Sequence, residues 1–318
     1  MTAGVEDART SEISLPSKDL AADLAFFTDR LGFRLDTIFP ADDPSTATIS
    51  GHGVRIRLNR HPDRALPADA PGAWVTGRAG MQYRDLVPGR LDGALIASHI
   101  RIPNAGPVAD LVHFHDIDFQ LIFCHRGWVR VVYEDQGPPF VLNAGDCLIQ
   151  PPRIRHRVLE ASEGLEVIEV SAPAMHLTTM DHEMTLPTSV HDFGRDFGGQ
   201  RFCLSEGANA VWAASRLPGF EARETGIAAA TGGAASVRVL RPAGARPEAW
   251  ITHTARVLFV FVRSGTVTLR ESGSGDHVLR AGEARVIPSE IKTAFASPSA
   301  DLELLEVAMP AIFETRPA

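Results

Sequence analysis

Two histidines separated by one residue, His113 and His115, open the spacing pattern that most constrains the fold of this chain. Gln120 follows His115 after five residues, and Gly127 follows Gln120 after seven. A second block, Gly145-Asp-Cys-Leu-Ile-Gln-Pro-Pro-Arg-Ile-Arg-His156, comes after a strand, a turn and a strand. This arrangement predicts neighbouring strands of one β structure, with three histidines at fixed positions.

The strand pattern predicts that the three imidazoles point to the same place. Residues two apart in a strand face the same side, so His113 and His115 point together. Ile154, His156 and Val158 share one face of the later strand, and their apolar character places His156 on the inner face. Three convergent neutral imidazoles suit divalent Fe, Ni, Cu, Mn or Zn. The alternative is three buried histidines that bind no ion.

The two blocks resemble the metal-binding motifs of the cupin superfamily, G-x5-H-x-H-x4-E-x6-G and G-x5-P-x-G-x2-H-x3-N. The chain departs from these motifs at four positions. Pro107 replaces the opening glycine, Gln120 the glutamate, Arg153 the second-motif glycine, and Glu160 the asparagine. The resemblance therefore implies a cupin fold and a metal site, and it says less about the reaction.

The resemblance places the metal ligands at His113, His115 and His156, with Gln120 as the uncertain fourth. The amide oxygen of Gln120 either coordinates or lies outside the ligand set. In both cases the site lacks a carboxylate ligand, so a divalent ion keeps its full formal charge. Such a site favours an anionic, chelating substrate such as a carboxylate, enolate or phenolate, and lowers the pKa of bound water.

The C-terminal part of the chain repeats the pattern without its ligands. The two regions align at Gly127 and Gly265, at Gly145 and Gly282, and at Pro151 and Pro288, which matches His115 with His253. Ile251, Leu258 and Thr293 stand at the other three ligand positions. The repeat predicts a second barrel that has lost its metal.

The N-terminal segment has a different character. The run Asp23-Leu-Ala-Phe-Phe-Thr-Asp-Arg-Leu-Gly-Phe-Arg-Leu35 resembles the first helix and strand of the glyoxalase/bleomycin-resistance (vicinal oxygen chelate) superfamily. The resemblance implies one βαβββ module over residues 10–60. Ser14 stands where a ligand of that superfamily is expected, so we interpret the module as a structural or dimerisation element.

The predicted fold class is mainly β: two cupin barrels of the double-stranded β-helix (jelly-roll) type, preceded by a small α+β module. The predicted divisions are the module (1–60), a linker (61–80), the metal-binding barrel (81–175), a connecting segment (176–200) and the degenerate barrel (201–318). The linker prediction rests on a segment rich in Pro, Gly, Ala and Asp.

Five further residues are candidates for the chemistry. Tyr133 is a candidate proton donor or substrate contact, and Glu169 is a candidate general acid or base. Arg101, Arg126 and Arg130 are candidates for pairing with a substrate carboxylate. For each of the five, packing or surface exposure is the competing interpretation.

Three classes of function fit these features. The leading prediction is a mononuclear Fe(II) dioxygenase acting on a small anionic aromatic or enolic substrate, because the architecture is similar to gentisate- and salicylate-type enzymes. The second is a non-redox isomerase, lyase or hydrolase that uses Zn(II), Mn(II), Ni(II) or Cu(II). The third is a cupin that binds a small molecule without turnover.

Composition narrows the partners and the compartment. The net charge of -8 disfavours nucleic acid and anionic membrane as partners. The sequence shows no secretory signal and no apolar run long enough to span a bilayer. Three widely spaced cysteines, Cys124, Cys147 and Cys203, favour a reducing compartment, so we expect a cytoplasmic protein.

A lone βαβββ module gains from pairing with a second copy, which predicts a homodimer.

Overall fold

The computed structural model describes residues 12–60, 72–244 and 249–318. The N-terminal elements are β1 (Glu12–Ser17), α1 (Leu20–Ala25), β2 (Arg34–Phe39), β3 (Thr46–Gly51) and β4 (Val54–Arg60). Further strands up to the second repeat are β5 (Val75–Thr76), β6 (Gln82–Asp85), β7 (Ile96–Ile102), β8 (Gly106–Pro107), β9 (His113–His115), β10 (Phe119–Arg126), β11 (Trp128–Tyr133), β12 (Phe140–Asn143), β13 (Cys147–Ile149), β14 (His156–Ala161), β15 (Leu165–Ala172), β16 (Thr178–Met180) and β17 (Cys203–Ser205).

The second repeat contains one short helix and the remaining strands. They are β18 (Trp212–Ala214), β19 (Phe220–Glu224), α2 (Ile227–Ala230), β20 (Ser236–Pro242), β21 (Ile251–His253), β22 (Val257–Ser264), β23 (Thr266–Glu271), β24 (Gly275–Arg280), β25 (Ala284–Val286), β26 (Thr293–Ala296), β27 (Glu303–Met309) and β28 (Thr315–Pro317). None of the helices in the described ranges is long and apolar enough to cross a membrane.

The N-terminal module has the predicted βαβββ order. Asp19 caps α1 by accepting a hydrogen bond from the backbone N–H of Ala22 at 3.1 Å. Its strands lie in the order β1-β4-β3-β2, with β1 parallel to β4. β1 lies at the edge of this sheet, and pairing with a second copy there stays a prediction.

The module shares a continuous sheet with the first barrel. β2 pairs with β16, and β16 pairs with β9, so that Thr178 lies opposite both Ile38 and His115. The segment 176–200, predicted to be a connector, therefore contributes a strand between the module and the first two histidines. Three residues are too few for an alternating pattern to reveal that strand in the sequence.

The first barrel is closed by two facing sheets. One continues from β9 through β14 and β11 to β12, and the other runs β17-β13-β10-β15-β7-β6-β5. Alternation along β10 sends Ile122 and Cys124 into the barrel interior, while Leu121 and Phe123 face the second barrel. The interior side of β10 is therefore the side that carries Gln120.

The second barrel repeats the register of the first. His113 pairs with His156 in the first barrel, and Ile251 pairs with Thr293 in the second. The internal alignment predicted from the sequence is therefore confirmed at this strand pair. The strand orders of this barrel are β18-β19-β20-β27-β22-β25 and β24-β23-β26-β21-β28.

An apolar cluster joins the two barrels. Leu121 and Phe123 of the first barrel belong to one buried group with Phe259, Phe261 and Leu305 of the second. Burying each side chain of this size stabilises the fold by roughly 1.5–3 kcal/mol. The second barrel therefore stabilises the first even where it carries no ligands.

The predicted linker 61–80 is only partly a linker. Residues 61–71 lie outside the described residues, but 72–80 contain β5 and a tight turn. A Cβ on Gly77 would lie 2.5 Å from the carbonyl oxygen of Ala41, so only glycine fits there. The next residue, Arg78, donates its backbone N–H to the same oxygen at 3.1 Å. This contact fixes Arg78 between the module and the barrel.

Candidate metal centre

Three histidines meet inside the first barrel as the spacing predicts. His113 and His115 lie on β9, and His156 begins β14 directly opposite His113. The ring centroid of His113 lies 4.2 Å from that of His156 and 5.1 Å from that of His115. One ligand nitrogen from each ring lies within 4.8 Å of the other two. All three side chains are buried.

A turn between the motifs holds His156 against β9. Arg153 has a φ of 61°, in the left-handed region that favours glycine, and it stands where the cupin motif has its second glycine. Its backbone N–H donates to the carbonyl oxygen of His115 at 3.1 Å. The guanidinium lies over the ring of Phe114, 4.5 Å from its centroid. These contacts keep the turn closed although arginine replaces the usual residue.

Hydrogen bonds at Nδ1 fix the tautomer of the histidines. Nδ1 of His113 and Nδ1 of His156 each meet the backbone carbonyl oxygen two residues earlier, at 2.7 and 3.0 Å. A carbonyl only accepts, so both Nδ1 atoms carry a proton and both Nε2 atoms keep a lone pair. Nδ1 of His115 lies 3.0 Å from the hydroxyl of Thr178, which allows the same tautomer.

The electrostatics keep the imidazoles neutral. Burial, as the largest cause, lowers the pKa of His113 and His115 well below the ordinary imidazole value. Burial likewise lowers the pKa of His156 to about 4. Neutral imidazole is the form that binds a metal ion, so the site is ready for an ion near neutral pH.

Two buried atoms lack a partner, as a metal site requires. Within the described part of the chain, neither Nε2 of His113 nor Oε1 of Gln120 has a hydrogen-bond partner. An unpaired buried polar group costs roughly 1–3 kcal/mol, which coordination would remove. Both atoms are therefore free to bind an ion. The donor set fits a divalent transition metal.

A cavity of about 80 Å³, measured as the space open to the centre of a water molecule, adjoins the three histidines. The polar residues on its wall are Arg78, Tyr83, Tyr133, Gln150 and Glu169. The rest of the wall is apolar. An ion at the histidines would therefore face a chamber whose wall is mostly apolar and carries a few polar residues.

Tyr133 and Glu169 both lie on this cavity. The Tyr133 ring stacks on His156 with centroids 5.4 Å apart, and burial raises the pKa of its hydroxyl, which therefore keeps its proton. Glu169 accepts a hydrogen bond from Ser171 at 3.1 Å, and burial raises the pKa of its carboxyl. Their roles in the chemistry stay predictions, although both side chains lie beside the ligands.

The three arginines predicted to bind substrate do not line this cavity. Arg101 donates to Gln82 and lies over Trp74, 4.2 Å from the ring centroid. Arg126 and Arg130 are exposed on the surface, where they pair with glutamates. Alternation accounts for two of them, because Arg101 lies between Ile100 and Ile102 and Arg130 lies between Val129 and Val131, and all four neighbours line the cavity.

Two residues of the site were not predicted from the sequence. Arg78 lines the cavity and pairs with the buried carboxylate of Asp110. His176 lies with its ring centroid 5.5 Å from that of His115 and donates Nδ1–H to the carbonyl oxygen of Pro173 at 3.1 Å. Both stand in segments predicted to be connectors, and neither is part of a motif. Only the tertiary structure brings them to the histidines.

A second group of potential ligands, His99, His125 and Glu166, does not suit an ion. It lies where the barrels meet, and both histidine rings contact Phe261. Arg84 donates to Nδ1 of His99 at 2.8 Å, so the proton of that neutral ring is on Nε2, which donates to Glu166 at 2.9 Å. A protonated nitrogen has no lone pair for a metal. We interpret this group as an interface network.

Comparisons with known proteins support the fold. No family model matches the chain, and no curated protein matches its sequence. Among solved structures, the formate complex of Lactobacillus farciminis oxalate decarboxylase is similar at a TM-score of 0.56 and 14% identity, over 77% of this chain and 86% of that one. Protein Ylba from E. coli gives 0.54 and 12%, over 88% and 96%.

A 7S globulin from Momordica charantia is also similar, with a TM-score of 0.55 and 13% identity, over 78% of this chain and 85% of that one. At such identities the likeness shows the fold alone. The predicted fold class is confirmed: the chain is mainly β and has two cupin-type barrels. The finer resemblance to gentisate- and salicylate-type dioxygenases, and that of the N-terminal module to glyoxalases, stay predictions.

Replacing Thr178 with valine tests the hydrogen bond that orients His115. We expect Thr178→Val to weaken metal affinity by about 10–100-fold, as loss of a partner behind a ligating histidine does. The measurement is competition for zinc with a chromophoric chelator. Thr315→Val is the matched control, because Thr315 lies opposite His253 in the second barrel. Equal affinities in both variants would show that the hydroxyl does not support a ligand.

Proposed function

We propose that this protein is a metal-dependent bicupin enzyme, and within that class a mononuclear Fe(II) dioxygenase acting on a small anionic substrate. The observation that carries the proposal is the tautomer of His113 and His156. Their backbone hydrogen bonds leave two buried Nε2 lone pairs beside that of His115, within a cavity. Three neutral nitrogens and one neutral oxygen donor suit Fe(II) among the divalent first-row ions.

The protein groups around the ion have separable tasks. A bound Fe(II) ion would supply Lewis acidity and the redox chemistry that dioxygen requires. Arg78 offers the positive charge that a substrate anion needs on the cavity wall. Glu169 can take up a proton from the substrate, and Tyr133 can donate one, since both lie on the same cavity.

A non-redox isomerase, lyase or hydrolase is the second candidate. The observation that favours it is the same pair of proton-handling groups beside the ligands, because such reactions need proton transfer and a polarised carbonyl. Zinc, manganese, nickel or copper would suit the same donors. The two candidates differ in one measurable respect, which is whether turnover consumes dioxygen.

The test is metal content by mass spectrometry on untagged protein, followed by oxygen consumption with a panel of small acids. We expect one iron per chain, absent from His113→Ala, and substrate-dependent oxygen uptake. His253→Ala is the control, because this buried histidine of the second barrel has no histidine at the other ligand positions. Stoichiometric zinc with turnover that needs no oxygen would favour the non-redox class. No metal after reconstitution would leave a ligand-binding cupin.

Replacing Glu169 with glutamine tests proton transfer separately from metal binding. Loss of a positioned acid or base lowers turnover by about 10²–10⁴-fold, and the amide keeps the size of the side chain. We expect Glu169→Gln to retain the wild-type metal content while its kcat falls. Glu163→Gln, an exposed position nearby, is the control. A kcat within a factor of two of the wild-type value would remove Glu169 from the mechanism.

A further inference from the structure

The size of the cavity limits what can bind beside the histidines. About 80 Å³ is open to the centre of a water molecule, and a bound ion would occupy part of that space. An apolar cavity of about 150 Å³ is known to hold benzene. The chamber is therefore about half the size of that cavity. It fits a body of a few carbon atoms.

The chemistry of the wall identifies that body as apolar and aliphatic. Branched aliphatic side chains form much of the wall, among them Ile100, Ile102, Ile122, Val129, Val131 and Leu165. They offer no hydrogen bond, so a substrate that is polar throughout would lose its hydration there without compensation. A short alkyl chain gains the full transfer free energy instead.

A smaller chamber adjoins one of the candidate ligands, His115. It offers about 30 Å³ and is lined by residues that include Ser98, His176 and, from the N-terminal module, Asp42. Arg78 and Glu169 line both chambers. The N-terminal module therefore forms part of the wall of the binding site.

Arg78 is the positive side chain on both chambers among the described lining residues. One nitrogen pairs with Asp110, while its Nε–H is buried and has no acceptor in the described ranges. Its backbone is held by Ala41, so the guanidinium is positioned before any ligand arrives. An incoming carboxylate would supply the missing acceptor.

We propose that the substrate is a short-chain aliphatic carboxylic acid with a second oxygen on its α or β carbon. This inference rests on the proposed function and names its substrate class. The carboxylate binds at the Arg78 end, the two oxygens face the histidines as a chelating pair, and the alkyl chain lies against the branched wall. Aromatic acids are too large for the chamber, and oxalate leaves the apolar wall unfilled.

The test is calorimetric binding of simple acids to the zinc-reconstituted full-length protein, which does not turn them over by redox chemistry. The probes are 2-oxobutanoate, 2-oxohexanoate, oxalate and salicylate. We expect 2-oxobutanoate to bind at least about tenfold more tightly than oxalate or salicylate. Tighter binding of salicylate or of oxalate would overturn the proposal.

Shortening a side chain of the cavity wall should increase affinity for a longer acid, a result that a misfolded variant would not give. Val129→Ala should raise the affinity for 2-oxohexanoate relative to 2-oxobutanoate by about fourfold for each extra methylene accommodated. Val267→Ala is the matched control, because Val267 repeats Val129 in the second barrel and lies in its core. An unchanged ratio in Val129→Ala, or the same change in both variants, would overturn the placement of the chain.

The metal content of the same samples distinguishes a failure of the proposed substrate class from a failure of the proposed metal-dependent function. One zinc per chain with no binding of any 2-oxo acid would overturn the substrate class and leave the metal-dependent function standing. Absence of zinc in the wild-type protein would overturn the proposed function itself. Zinc retained in Val129→Ala also shows that the first barrel of that variant is folded.

Discussion

The hydrogen bonds behind the three histidines are the interaction on which the site depends. Most buried polar atoms in proteins have a hydrogen-bond partner. Here Nδ1 is satisfied by the protein at His113, His115 and His156, while Nε2 of His113 is not. The unpaired Nε2 of His113 therefore destabilises the folded barrel, and coordination of an ion would remove this free-energy cost.

The second barrel shows the same fold with a single histidine, His253, at the ligand positions. Glu306 occupies the position in the second barrel that Glu169 occupies in the first. Gln120 pairs with the residue two after Glu169, and Leu258 pairs with the residue two after Glu306. In the second barrel this glutamate pairs directly with Arg216, which follows β18 as Arg78 follows β5. The corresponding pair in the first barrel is separated, because Arg78 pairs with Asp110 and Glu169 accepts a hydrogen bond from Ser171.

That separation explains how two repeats of one fold differ in chemistry. In the second barrel the arginine and the glutamate are each other's partners. With different partners, Arg78 and Glu169 both line the cavity beside the histidines. His176 adds a further imidazole beside His115. The equivalent residue of the second barrel is Phe313, which lies near His253; both His176 and Phe313 follow a cis proline by three residues. The candidate site thus differs from its repeat in several residues beyond the ligands.

The sequence predicted the parts of this site that periodicity and spacing govern. The strands, the convergence of the three histidines and the internal repeat follow from side-chain alternation and from fixed intervals between glycine, proline and histidine. Arg78, His176 and the strand β16 could not be predicted in this way. They reach the site through a turn fixed by Gly77, a short loop and a three-residue strand, which long-range contacts alone determine.

X-ray absorption spectroscopy of the zinc-reconstituted protein tests the central claim most directly. The account predicts one zinc per chain with three imidazole nitrogens at about 2.0–2.1 Å and the remaining ligands oxygen. A sulfur ligand at about 2.3 Å would place the ion at a cysteine instead. Fewer than three imidazoles would likewise contradict the convergence of His113, His115 and His156 on a single ion.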